Sequence, residues 1–110
     1  MKFVNLTPHA ITVRWPDGVD DVIPASGQVA RVSTAEEPAG AILGIPLVRR
    51  TLGDVQGLPA PQPETIYIVS SMVLSAVEGR QDVVAPDTGP TAIRDSHGRI
   101  QAVTRFVVAS

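Results

Sequence analysis

Hydrophobic and polar positions alternate along several short stretches of the chain, which is the pattern of half-buried β-strands. Residues 10–15 are the first clear example, because apolar side chains occupy every second position. Pro16-Asp17-Gly18 follows as a turn, and residues 19–23 provide the second strand of a hairpin. Residues 28–33 alternate in the same way. Ten prolines and nine glycines interrupt the chain, so strands and turns are favoured over helices.

The middle of the chain is less regular. In residues 34–43, Pro38 and Gly40 favour a loop, although the Ala and Glu residues also allow a helical turn. Residues 45–50 predict a strand, which either continues or turns over residues 51–57. Three prolines make residues 58–64 an extended surface loop.

Residues 65–69 give the strongest strand signal, because they are almost entirely β-branched or aromatic and apolar on both faces. Ser70 and Ser71 follow as candidate N-caps of a short helix over residues 72–77. Residues 82–85 form another apolar strand. The succession of strand, helix and strand predicts a compact βαβ crossover with parallel strands.

The C-terminal segment predicts a hairpin between residues 92–95 and 99–108. A chain of 110 residues suffices for one core, so we expect a single domain over residues 1–110. The predicted fold class is α+β, with a small mixed β-sheet of short strands, one short helix in the βαβ crossover, and the C-terminal hairpin.

The amino-acid composition reduces the number of function classes to consider. Lys2 is the only lysine, the eight arginines are scattered and the net charge is −2, so we do not expect a nucleic-acid partner. The absence of cysteine excludes disulfides, thiolate zinc sites and cysteine nucleophiles. Residues 1–7 are too short for a signal peptide, and no apolar run approaches the roughly 20 residues that span a bilayer. We therefore expect a cytoplasmic protein without a membrane partner.

Candidate binding residues follow the two strands of the crossover. If those strands are parallel, Ser70 and Ser71 lie at the same sheet edge as Asp87 and Thr88, where ligands of open α/β sheets tend to bind. The start of the helix adds unpaired backbone N–H groups, which together would make an anion-binding corner. The alternative interpretation is that the serines are ordinary helix caps and residues 86–90 an ordinary turn.

Arginines provide further candidates. Arg49, Arg50 and Arg80 could bind a phosphate or carboxylate, because the planar guanidinium makes two parallel hydrogen bonds. The alternative for each is a solvated charge or a surface ion pair, for example with Asp54 or Asp82.

The segment Asn5-Leu6-Thr7-Pro8-His9 supplies the remaining candidates, namely Asn5, Thr7 and His9. His9 could act as a general base or could orient the loop through hydrogen bonds. No recognised catalytic, nucleotide-cradling or metal-binding motif is present, so we predict no catalytic residue, no metal and no cofactor.

Several segments together resemble a family of small uncharacterised bacteriophage and prophage proteins. The segments that carry the resemblance are Asn5-Leu6-Thr7-Pro8-His9, Ile23-Pro24-Ala25-Ser26-Gly27, Val29-Ala30-Arg31-Val32, Gly57-Leu58-Pro59, Thr65-Ile66-Tyr67-Ile68-Val69-Ser70, and residues 79–88, which read GRQDVVAPDT. The resemblance implies a phage context, in which small proteins often modulate the host and some sequester nucleotide-derived signals of antiphage defence. It brings no established catalytic residues.

Three functions remain. The first is a binder that sequesters a small anionic, nucleotide-derived ligand in the host cytoplasm. The second is a protein–protein interaction module or an inhibitor of a host protein, for which exposed strand edges and the proline-rich loop are suited. The third is a hydrolase acting on a nucleotide, which has no motif in its favour. Because a chain with 4% aromatic residues builds deep pockets poorly, we expect a site shared between subunits and therefore a homo-oligomer.

Overall fold

A computed structural model describes residues 1–109, which form ten β-strands and one short α-helix. The elements in chain order are β1 (Lys2–Asn5), β2 (Ile11–Arg14), β3 (Asp20–Ile23), β4 (Arg31–Ile42), β5 (Ile45–Gln56), β6 (Thr65–Ile68), α1 (Ser71–Ser75), β7 (Val83–Pro86), β8 (Ile93–Arg94), β9 (Ile100–Ala102) and β10 (Phe106–Val108).

The fold is predominantly β, so the predicted α+β class is wrong. Two local causes explain the difference. The predicted helix is only five residues long, because α1 ends at Ser75. The segment expected to be a loop or helical turn is instead most of the twelve-residue strand β4.

The central sheet has the strand order β1-β6-β7-β10. Strand β6 pairs in parallel with both β1 and β7, while β10 pairs with β7 in the antiparallel direction. The predicted βαβ crossover is therefore confirmed, with α1 connecting the parallel strands β6 and β7. Short apolar strands of this kind are stable in the interior of a sheet when both of their faces are covered.

Both faces of the two central strands, β6 and β7, are buried. On one face, Tyr67 and Val83 are register neighbours and belong to a core cluster that also contains residues of α1. On the other face, Ile68 and Val84 are register neighbours and are also buried, since side chains alternate along a strand. The members of the core cluster are Leu6, Ala30, Tyr67, Val69, Val73, Leu74, Val77, Val83 and Ala85.

Two small hairpins lie beside the central sheet. The predicted hairpin of β2 and β3 is confirmed, and Gly18 takes the positive φ of 88° that its turn requires. The predicted C-terminal hairpin is shorter than expected: β8 pairs with β9, whereas β10 leaves it to join the central sheet. Phe3 of β1 connects these parts, because its ring lies 6.4 Å from that of Trp15 and 5.7 Å from that of Phe106.

Strands β4 and β5 form a long antiparallel hairpin, which we call the arm (residues 31–56). At its base, Val32 and Val55 pack against the core cluster, and the remainder is largely exposed. The arm makes the molecule elongated: its extents are 52 × 39 × 25 Å and its radius of gyration is 16.5 Å. A compact chain of this length would have a radius of gyration of about 13 Å.

Pro38 and Gly40 predicted a loop, but both residues lie within strand β4, at an irregularity in its pairing with β5. The strand register shifts between Pro38 and Ala41, which leaves one extra residue on β4. A bulge tolerates both residue types, so the hairpin continues beyond it to a two-residue turn. In that turn Leu43 and Gly44 have φ values of 50° and 84°, the combination that matches the twist of the two strands.

Gly57 closes the base of the arm. Its φ is +81°, and a Cβ atom there would lie 2.7 Å from the carbonyl oxygen of Val29. A side chain at this position would therefore separate the end of β5 from the segment that leads into β4.

The core and the arm tip should respond differently to the same substitution. Leu6 is fully buried and Leu43 is 98% exposed. We expect Leu6→Ala to lower the free energy of unfolding by about 2–5 kcal/mol, because it leaves a cavity. The matched variant Leu43→Ala should change it by less than about 0.5 kcal/mol. Urea unfolding at one low protein concentration measures both, and equal losses would contradict this description of the core.

Candidate functional site

Asn5 was a candidate ligand-binding residue, but its side chain is buried and already holds the chain together. Its Nδ2 donates to the carbonyl oxygens of His9 at 2.9 Å and Ile23 at 3.1 Å. Its Oδ1 accepts from the backbone N–H of Thr7 at 3.0 Å and from the Thr7 hydroxyl at 2.6 Å. These four bonds use the full capacity of a side-chain amide, so Asn5 orients the segment 7–9.

Two clefts lie on either side of that segment. Thr7 and Pro8 line the first cleft, which has a volume of about 310 Å³, and His9 lines the second, of about 440 Å³. The candidates Thr7 and His9 are therefore close in sequence but face different sites.

The first cleft combines an apolar floor with a few polar groups. Its polar side chains come from Thr7, Arg31 and Ser70, and the α1 residues Met72 and Val73 form part of its apolar lining. Arg31 is exposed and has no ion pair within residues 1–109. Arg31 was not among the binding residues predicted from the sequence. Its proximity to Ser70 depends on the parallel pairing of β1 with β6, which no local pattern reveals.

The second cleft is mainly apolar. Of the predicted residues, it contains His9 and Thr88, and its other lining residues are Ala10, Ile11, Thr12, Pro86, Ile100 and Val103. The backbone carbonyl of Thr88 accepts a hydrogen bond of 2.9 Å from Arg94.

Ser70 acts as the helix cap that the sequence predicted. Its hydroxyl accepts a hydrogen bond of 3.3 Å from the backbone N–H of Val73. Ser71 is the exposed first residue of α1. Since α1 has only five residues, its dipole is small, and the first cleft depends on side chains for any attraction to an anion.

Arg80 forms an internal ion pair rather than facing a cleft. Its guanidinium donates to both carboxylate oxygens of Asp82, at 2.8 and 2.9 Å, and to the carbonyl of Pro59 at 3.0 Å. The pair is largely shielded, with side-chain exposures of 21% and 19%. The hydrogen bonds from Arg80 lower the pKa of Asp82 below its ordinary value, although partial burial opposes this. This pair ties the proline-rich loop to the start of β7.

Asp87 is also engaged within the fold. Its carboxylate accepts hydrogen bonds from Nε of Arg105 and from the backbone N–H of Gly89, and both lower its pKa below the ordinary value. Asp87 follows β7 at the sheet edge where Ser70 follows β6, as parallel pairing requires. Its bonds nevertheless serve to join the end of β7 to the segment before β10.

Arg49 and Arg50 lie on the arm, away from both clefts. Arg49 pairs with Glu37 across the arm at 3.1 Å, and Arg50 pairs with Glu36. Both pairs are exposed, so each contributes little to stability. Of the predicted residues, Thr7 and Ser70 therefore line the first cleft and His9 and Thr88 line the second. The others lie outside both clefts, namely Asn5, Arg49, Arg50, Ser71, Arg80 and Asp87.

Between these two ion pairs and the turn at the end of the arm, no residue has a polar side chain. Residues 38–48, which we call the apolar tip, read PAGAILGIPLV. Its largest side chains are exposed, with fractions of 59% for Ile42, 98% for Leu43 and 66% for Ile45. The signal was present in the sequence as an uncharged run of eleven residues between Glu36-Glu37 and Arg49-Arg50.

Within residues 1–109, no three His, Asp or Glu side chains come together as a group that could hold a metal ion. No helix in the same part of the chain is long and apolar enough to cross a membrane.

Comparisons with family models, curated proteins and solved structures gave no match. The resemblance to phage proteins therefore stays a prediction, and the function has to be argued from the geometry.

The Arg80–Asp82 pair predicts an acid-sensitive contribution to stability. Because the pKa of Asp82 is lower in the folded than in the unfolded chain, its contribution is present above about pH 4 and is lost as the pH falls through the folded value. We expect Asp82→Asn to cost about 1.5–3 kcal/mol at pH 7 and clearly less at pH 3, measured by urea unfolding.

Arg80→Gln is the control, because it removes the cause of the shift and should lose the same pH dependence. An equal cost of Asp82→Asn at both pH values would contradict the assignment.

Proposed function

We propose that this chain is a protein–protein interaction module that binds its partner through the apolar tip of the arm. The observation that carries the proposal is a run of eleven consecutive residues without a polar side chain, 38–48, at the end of the hairpin, all of them exposed except the half-buried Ala39. Monomeric proteins rarely expose contiguous apolar surface of this kind, because burying it in a partner is favourable. The phage context and the cytoplasmic location are part of the same proposal and depend on the resemblance and the composition.

A protein suits the arm better than a lipid bilayer does. The arm is a two-stranded sheet, so each strand has an outer edge with unpaired backbone N–H and C=O groups. Hydrocarbon cannot satisfy those groups, whereas a protein can. The tip also contains no Trp or Tyr, the residues enriched where proteins meet the membrane interface.

A second candidate function is the sequestration of a small anionic, nucleotide-like ligand in the first cleft. The observation that favours it is Arg31, a guanidinium without an ion pair in the described chain, in the same cleft as the hydroxyl-bearing Ser70. A guanidinium and a neighbouring hydroxyl are suitable partners for a phosphate group.

The interaction proposal can be tested with a single photo-crosslinker. Because the chain has no cysteine, Leu43→Cys can be labelled with a benzophenone maleimide at that site alone. We expect gel electrophoresis and mass spectrometry to show a discrete adduct between the labelled chain and its partner. Unlabelled protein should compete with the formation of this adduct. The matched control is Val19→Cys, which is 55% exposed at the β2–β3 hairpin and should give no such adduct.

Unlabelled competitor carrying Ile42→Ser and Ile45→Ser should compete poorly, because it lacks the apolar contacts. The proposal is wrong if the two labelled positions behave alike, or if this competitor is as effective as the original chain.

The ligand proposal predicts a thermal shift that depends on Arg31. In a panel of nucleotides, cyclic oligonucleotides and ADP-ribose derivatives, a ligand at 100 times its dissociation constant should stabilise the fold by about 2.7 kcal/mol. Arg31→Ala should abolish the shift, and Arg99→Ala, another exposed arginine outside both clefts, should preserve it. Chromatography then shows whether the ligand returns unchanged. A shift that survives Arg31→Ala would remove the first cleft from consideration.

A further inference from the structure

Most of the arm is not covered by any other part of the described chain. A two-stranded hairpin isolated in water is marginally stable at best, and an additional strand or a packed face is needed to keep it ordered. Here strands of twelve residues extend from the body, and only Val32 and Val55 near the base pack against the core. We infer that a second copy of this chain covers the arm, by packing face to face around a two-fold axis that runs along the hairpin. The inference rests on the proposed interaction function and names the partner.

The register divides the arm into two faces. Val32 and Val55 are cross-strand neighbours that pack against the core, so the face on which they lie is the inner one. Alternation along β4 places Glu36, and with it its cross-strand partner Arg50, on that inner face as well. The register shift between Val32 and Thr34 adds one residue to β5 and leaves the alternation of β4 regular.

The outer face carries the pair Glu37–Arg49 and, beyond it, Leu47, Ile42 and Ile45. These three apolar side chains are between 37% and 66% exposed. A second arm can approach this face without meeting the body of the first.

The charges on the outer face are self-complementary. Glu37 lies on β4 and Arg49 lies opposite it on β5. A two-fold axis along the arm places β4 of one copy over β5 of the other, so Glu37 of each copy faces Arg49 of its partner. An axis perpendicular to the arm and in the plane between the sheets would instead place Glu37 near Glu37. The parallel arrangement also stacks the two apolar tips on each other.

Contact through the strand edges is less suitable. Pro38 interrupts the row of backbone donors along β4, and Pro46 interrupts that along β5. Prolines at these positions blunt an edge against strand addition, which leaves the faces for the contact.

The area of the outer face of the arm sets the strength of the dimer. Twelve residues at about 3.3 Å and two strands about 4.8 Å apart give a footprint of about 40 by 10 Å, or about 800 Å² for the two copies together. Interfaces of this size are at the weak end of specific association. The dimer should therefore form and dissociate reversibly in the micromolar range.

Charge reversal tests the arrangement directly. Light scattering after size exclusion should give the unchanged chain a mass of about twice 11.6 kDa at high micromolar concentration. Glu37→Arg leaves two basic side chains on the outer face, at positions 37 and 49, and Arg49→Glu leaves two acidic ones. Because like charges then meet across the axis, the dimer of each variant alone should dissociate about 100-fold more readily. Mixing the two variants should restore the dimer, because every contact across the axis then joins opposite charges.

The control is the neighbouring pair on the inner face. Glu36→Arg and Arg50→Glu disturb an equivalent ion pair within the arm but should leave the dimer unchanged. Circular dichroism verifies that all four variants fold. The same loss from both pairs, or no recovery on mixing, would overturn the arrangement.

The two proposals fail separately. A purified chain that stays monomeric overturns self-association, even if Leu43→Cys still gives a competed adduct with a different protein. A chain that instead binds neutral phosphatidylcholine vesicles overturns the choice of a protein over a bilayer as the partner of the tip. A monomer that gives no adduct from that position overturns the interaction function as well.

Discussion

The parallel pairing of β6 with both of its neighbours is the interaction on which the rest of this structure depends. It joins Lys2–Asn5 to Thr65–Ile68 and brings the end of β1 beside Ser70, although these segments are distant in sequence. The backbone of Leu6 then accepts a hydrogen bond of 3.0 Å from Ala30, which fixes the residue before the arm. Both clefts and the base of the arm are thus positioned by one buried strand.

Polar side chains near this sheet mostly stabilise the fold. Asn5 uses all of its hydrogen-bonding groups within the protein, and Arg80 and Asp87 have charged partners of their own. A ligand that recruited such a group would first have to replace a good internal bond, so these residues are poor candidates despite their polarity. Arg31 differs because its position in the first cleft imposes no such exchange.

Local patterns predicted the parts of the fold that local physics determines. The β2–β3 turn at Gly18, the buried strand β6 and the cap at Ser70 all follow from the properties of a few adjacent residues. The arm was missed because Pro38 and Gly40 normally end a strand, and only the register of the completed hairpin shows that they lie at a bulge. The residues predicted to form one site lie apart for a related reason. Tertiary contacts decide which polar groups find partners inside the protein.

The arm also has a consequence for the order of folding. Its two strands are joined by a two-residue turn, so its pairing is local and can form within about 1–10 μs of the segment becoming available. The central sheet instead has to close a long loop to pair Lys2 with Thr65, and non-local parallel pairing is intrinsically slow. A nascent chain therefore displays the apolar tip before its body is complete. Encounters between neighbouring chains at that stage would favour assembly during synthesis and, without a matched partner, aggregation.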